Sequence, residues 1–182
     1  MQRVLDTLAL LGISGVLLVA FWYQLVEGEM PCPLCALQRV GFIVAGVGLV
    51  LNLRAGYAPS HYGIVLLSTV AAGSASLRQI ALHVVPDTGT YGSALLGFHF
   101  YTWAFVAFGA LVAYVGAMLV LAPAAPDARA PATGAIARFA CLLFLVLAAG
   151  IRVQAHIFVD SRADWDPITD TVPQFAGMPP RR

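Results

Sequence analysis

Along this chain apolar residues come in long, nearly unbroken runs, where a soluble protein would show polar residues every few positions. The first run, 4–26, has Asp6 and Gln24 as its strongly polar interruptions, and both lie near its ends. A bilayer core about 30 Å thick needs about 20 apolar residues as helix, so this run predicts a membrane-spanning helix. It is too long for the apolar core of a signal peptide. No clear small-residue cleavage site precedes Phe21, Trp22 and Tyr23 either, which predicts that it is retained. Similar runs predict helices over 33–53, 62–85 and 100–121. The third carries a patch of small residues at 71–76, the kind that lets membrane helices approach closely. The Pro- and Ala-rich stretch APAAPDARAPATG, 122–134, predicts a loop. A fifth run, 135–159, is apolar between Arg138 and Arg152, two side chains that can snorkel to the membrane surfaces. It predicts a fifth transmembrane helix, with a helix lying along the surface as the rival reading. The last residues, 160–182, are polar and Pro-rich and predict a loosely ordered tail. No internal repeat is visible, and the organisation is one four-helix membrane domain, 1–121, followed by a loop, the fifth run and the tail.

Composition agrees with the pattern. Of 182 residues, 60% are hydrophobic and 10% charged, which leaves too little charge to cover a soluble domain. The fold class expected is therefore all-α integral membrane, a four-helix transmembrane bundle with a fifth transmembrane helix. A net charge of +1 gives no reason to expect a nucleic-acid partner, and membrane lipid is the expected surroundings. Arginines in short loops set orientation. Arg3, Arg54, Arg129 and Arg138 fall on one side. The opposite loops hold Glu27, Glu29 and Asp87, and no Arg. This predicts a cytoplasmic N-terminus, a cytoplasmic 122–134 loop and an external tail. Trp22, Trp103 and Trp165 then lie near the outer interface.

The chemistry-bearing stretch is EMPCPLCALQRVGF, 29–42. Pro33 suits the first position of a helix, where its missing N–H would have no partner. Cys32 is then the N-cap and Cys35 lies in the first turn, where free backbone N–H groups and the helix dipole favour an anion. A thiolate is the nucleophile of disulfide exchange, so this is a suitable place for one. A two-residue spacing also permits a short-loop, oxidising disulfide. Gln38 and Arg39 follow Cys35 by three and four residues and share its helix face. An Arg so close to hydrocarbon is costly unless something uses it. By the predicted topology the pair sits at the outer face, which in a bacterium is the oxidising side.

Other readings of the cysteines are weaker. Half a zinc site would need two further ligands, but there is no second CxxC or paired His, so no metal is expected. His61, His83, His99 and His156 are scattered. Covalent haem would need His after Cys35, where Ala36 stands. A buried structural pair is hard to fit to an acidic, Pro-flanked helix start, and Arg39 alone could be a plain interfacial anchor. Cys141, inside an apolar run, reads as a small core residue.

PCPLCALQR resembles the signature of the disulfide bond formation protein B (DsbB) family, a CxxC opening the second transmembrane helix with Arg four residues on. SASLRQIALH, 74–83, is similar to the end of that family's third helix, and LLGFHFYTW, 95–103, to the start of its fourth. The likeness runs from about residue 4 to 121. It implies a bacterial inner-membrane enzyme, a quinone-dependent protein-disulfide oxidoreductase of the kind that keeps a periplasm oxidising. Electrons would come from a periplasmic thioredoxin-fold thiol oxidase (DsbA-like) or a dedicated client. They would leave to ubiquinone or menaquinone. Cys32 would be the cysteine attacked in exchange, Cys35 the one facing the quinone, and Arg39 the ligand of a quinone oxygen. Gln38 and Arg78 would be further quinone-binding residues at the same level. Two departures stand out. The family's best-known members carry a second cysteine pair between helices 3 and 4, and HVVPDTGTYGSALLGFH, 83–99, has none. The fifth helix is the other, where Arg152 and His156 share a face and are weaker candidates for closing a quinone pocket. The alternative function is a non-enzymatic membrane scaffold or assembly factor that keeps the fold without redox cycling.

Overall fold

The computed structural model describes residues 2–29, 32–84, 94–121 and 134–150, together with the short pieces 156–157 and 174–175. Four of the predicted runs are long helices: α1 (Gln2–Leu25), α2 (Pro33–Ala55), α3 (Pro59–Leu82) and α4 (Phe100–Val120). Each is long and apolar enough to cross a membrane. Large apolar side chains such as Leu8, Trp22, Leu67, Val70 and Val106 point outward, which suits lipid as the surrounding solvent. The protein is a multi-pass α-helical membrane protein.

Local chemistry sets the helix ends. Cys32 caps α2, its Sγ accepting from the backbone N–H of Cys35 at 3.1 Å, with Pro33 in the first turn. Arg54 lies in the last turn, and Gly56, at φ 89°, breaks the helix. Pro59 opens α3 three residues later. Asn52 holds this short turn, its Oδ1 accepting from Ala58 N–H at 3.3 Å and lying 3.0 Å from His61 Nδ1.

Packing follows the small residues. α2 lies tightly on α3, and a Cβ built on Gly41 would fall 2.2 Å from Ala72 Cβ. α3 packs on α4, and α1 on α2 and on the fifth helix. Phe42 and Phe108 stack at 4.1 Å in the core, among Leu10, Leu17, Leu49 and Val65.

Three features differ from the sequence expectation. The fifth helix is present as α5 (Ala135–Ala149) and ends ten residues earlier than predicted. At about 1.5 Å per residue it is about 22 Å long, short of the hydrocarbon thickness. Residues 156–157 (β3) pair in parallel with 174–175 (β4), where helix and loose tail were expected. The α3–α4 connection holds a hairpin, β1 (Ala94–Leu95) with β2 (Phe98–His99). Its two-residue turn, Leu96 and Gly97, has positive φ at both positions (53° and 83°), as a type I′ turn requires. Asn-Gly or Asp-Gly would announce such a turn, and Leu-Gly does not. Residues 122–133 of the predicted loop, and Trp165, lie outside the described residues.

Candidate functional site

The N-terminal turn of α2 brings Cys32 and Cys35 together, their sulfurs 2.7 Å apart. A disulfide bond is about 2.05 Å, so closing it asks for a small movement. The Cys32 thiol donates to Cys35 Sγ. That hydrogen bond, with burial behind it, holds the Cys32 thiol above the ordinary thiol range. Cys32 is 7% exposed, so a protein thiol reaches its sulfur only after local rearrangement. Cys35 is half-buried.

Cys35, Gln38 and Arg39 form part of the wall of one cleft of about 440 Å³. Its other walls are Gly15, Val19 and Tyr23 of α1, and Tyr101, Ala104 and Ala107 of α4. The cleft exists because α1 and α4 do not pack tightly along their length. They meet at the ends, through Tyr114 and Asp6 at one end and through Tyr23 and Phe100, rings 4.6 Å apart, at the other.

Arg39 is half-buried and well held. It donates to Gln24 Oε1, and to the Ala20 carbonyl at 3.1 Å, and it lies 5.7 Å from the centre of the Phe21 ring. A cation so placed keeps its geometry through α1 while one side faces the cleft.

Gln38 is buried, and its amide nitrogen donates to Gln79 Oε1 at 2.9 Å. Gln79, 1% exposed, directs its own Nε2 at both sulfurs, 3.4 Å from Cys32 Sγ and 3.6 Å from Cys35 Sγ. Sequence reasoning passed over Gln79 for its neighbour Arg78. The structure places the two residues differently. Arg78 is exposed and does not line the cleft, since adjacent helical residues point about 100° apart. The burial period of α3 was the available signal, with Ala72, Ala75, Ser76 and Gln79 forming its inward face. Gln24 was read only as a polar interruption, and its partnership with Arg39 depends on how α1 meets α2. Cys141 is 3% exposed in the core, as expected. Arg152 lies outside the described residues, and so does the His156 side chain.

A family model for disulfide bond formation protein DsbB matches residues 2–91 of the chain. That stretch contains α1, α2, α3 and the cysteine pair; α4 with its 95–103 sequence lies beyond it. Among curated proteins, the chain is 42% identical over 83 residues to the disulfide bond formation protein B of Marinobacter nauticus, covering 43% of this chain and 49% of that one. It is 38% identical over 90 residues to the protein of the same name from Stutzerimonas stutzeri, covering 46% and 54%. With that of Hahella chejuensis it shares 32% over 91 residues, covering 47% and 54%. The chain thus spans about half the length of the curated relatives it matches. No solved structure matches it.

Proposed function

The chain belongs to the DsbB family of disulfide bond formation proteins through residues 2–91, and from that premise we propose that it is a membrane thiol oxidase. Its Cys32–Cys35 pair takes electrons from a periplasmic dithiol protein and passes them to a membrane quinone. The observation that carries this reading is a shared wall: Cys35 and Arg39 border the same largely apolar cleft. A flat apolar ring with polar oxygens fits such a cleft, with Arg39 as its ligand and Gln38 beside it. When bound, the quinone supplies an acceptor for two electrons and two protons.

The steps on this chain are ordinary thiol–disulfide exchange. A partner thiolate attacks Cys32 Sγ, a new sulfur–sulfur bond forms, and the Cys32–Cys35 bond breaks. Cys35 leaves with the electron pair, and Arg39, four residues along the same helix face, favours that charge. The partner's second thiol then displaces Cys32, so the partner gains a disulfide and this chain a dithiol. Giving up two electrons and two protons at the cleft closes the Cys32–Cys35 bond again. The chain has three cysteines and none in 83–99, so no second pair of its own takes part in a relay. The partner, a thioredoxin-fold oxidase or a dedicated client, attacks this disulfide directly, or another protein supplies the missing pair.

The test uses full-length protein, pre-reduced and anaerobic, mixed with a soluble quinone whose absorbance is followed. Wild type should consume quinone and form the Cys32–Cys35 disulfide. Cys35→Ser should consume none, and Arg39→Ala should need a several-fold higher quinone concentration for the same rate. Wild-type protein inert towards quinone would overturn the enzyme reading in favour of a non-enzymatic scaffold.

A further inference from the structure

We propose that Gln79 is a catalytic residue of the dithiol, donating its side-chain N–H to the sulfur that carries negative charge when the disulfide opens, and that Gln38 is the positioning residue that aims it. The assignment rests on the reading that Cys32 and Cys35 cycle. Gln79 comes from α3, so it reaches the sulfurs across the α2–α3 contact, and its Nε2 lies within 3.6 Å of both. Its oxygen accepts from Gln38 Nε2 at 2.9 Å, and more distantly from the Cys35 thiol at 3.9 Å, while its nitrogen faces the two sulfurs. Both amides are buried, Gln38 5% and Gln79 1% exposed. A buried amide is costly unless its groups are paired, so this pair is built around the sulfurs and not merely tolerated.

The direction of the effect follows from the chemistry. Exchange breaks the Cys32–Cys35 bond and expels one sulfur with the electron pair. An N–H donor beside that sulfur stabilises the charged reduced state, because hydrogen bonds to ionised groups are the stronger ones. A disulfide sulfur accepts hydrogen bonds poorly, so the oxidised state gains little. Gln79 therefore makes the disulfide easier to reduce and a better oxidant for its partner. Being equidistant within 0.2 Å, it serves whichever sulfur is charged.

The experiment is a redox titration of the quinone-stripped full chain in detergent at pH 8, against thiol–disulfide buffers. Free thiols are read by the gel shift of a maleimide adduct. Gln79→Met keeps the length and removes the donor; Gln79→Glu keeps the shape and puts a carboxylate in its place; Gln38→Met leaves Gln79 unaimed. Expected is at least a tenfold shift of the equilibrium towards the disulfide for both Gln79 variants, about 30 mV for a two-electron couple. Gln38→Met should move the same way by less. Alkylation of the reduced pair by iodoacetamide should slow in parallel. A purely structural role would lower thermal stability and leave the titration in place. If Gln79→Met fails to fold, Gln79→Glu and Gln38→Met decide the question. Cycling wild type with folded variants titrating within twofold of it would overturn the assignment alone. Wild type that never forms the disulfide in these buffers would overturn the redox reading and this assignment together.

Discussion

Asp6 shows how much one side chain can decide inside an apolar helix. It is 2% exposed, and its Oδ1 accepts from Tyr62 Oη at 2.7 Å and from Tyr114 Oη at 2.5 Å. One carboxylate so joins α1 to α3 and α4, with Gln2 Nε2 donating to Tyr62 Oη at 3.2 Å. Asp6→Ala leaves the buried Tyr62 hydroxyl and the half-buried Tyr114 hydroxyl without this acceptor, at a cost of about 1–3 kcal/mol for a buried group left unpaired. The expected outcome is a lower thermal midpoint in detergent, with Asp6→Asn falling less because an acceptor oxygen remains. Adding Tyr62→Phe to Asp6→Ala should recover part of the loss, and a strictly additive double variant would show that the bond contributes nothing. The sequence marked Asp6 only as an interruption near a helix end. In the same way it singled out Arg78, although the inward-facing neighbour Gln79 meets the sulfurs. Charge drew attention at both places, while which way a residue faces depended on neighbouring helices.

At the scale of elements, α2 packs between α1 and α3, and its glycines make the close approach to α3 possible. A Cβ on Gly48 would fall 2.7 Å from the His61 carbonyl oxygen and 2.7 Å from Val65 Cγ2. The first of these is backbone and cannot swing aside. Gly48→Ala should cost about 1–3 kcal/mol by overpacking. Gly12→Ala on α1, where nothing lies within 4 Å, should cost nothing measurable. Unfolding both variants side by side in the same detergent checks the contrast, and equal stability would show that α2 and α3 can part freely. The four long helices were legible because hydrophobic length is a property of the chain alone. The short β1–β2 hairpin was not, because Leu96 adopts a positive φ that only tertiary context over-determines. α5 ends at Ala149, ahead of the C-cap Gly150 and before the polar Arg152, Gln154 and His156, so apolar length overstated it.

In the whole molecule, helix order creates the cleft. α1 rests on α2 and α5, α4 rests on α3, and the two flanks stay apart between their end contacts. Asp6 and the cysteine pair lie at opposite ends of this bundle, at the start of α1 and the start of α2. Orientation is a prediction at this scale. A periplasmic reporter fused between α3 and α4 should be active, and the same reporter fused between α2 and α3 inactive; the reverse pattern would place the cysteines in the cytoplasm. The sequence by itself determined the membrane class, the four spans, the family likeness and the cysteine pair with Arg39, because run length and local spacing are enough for these. Only the tertiary structure decided that Gln79 faces the sulfurs, that Gln24 holds Arg39, and that a cleft opens between α1 and α4. Each of these depends on residues many positions apart meeting across helix faces, and apolar runs do not encode rotation about a helix axis.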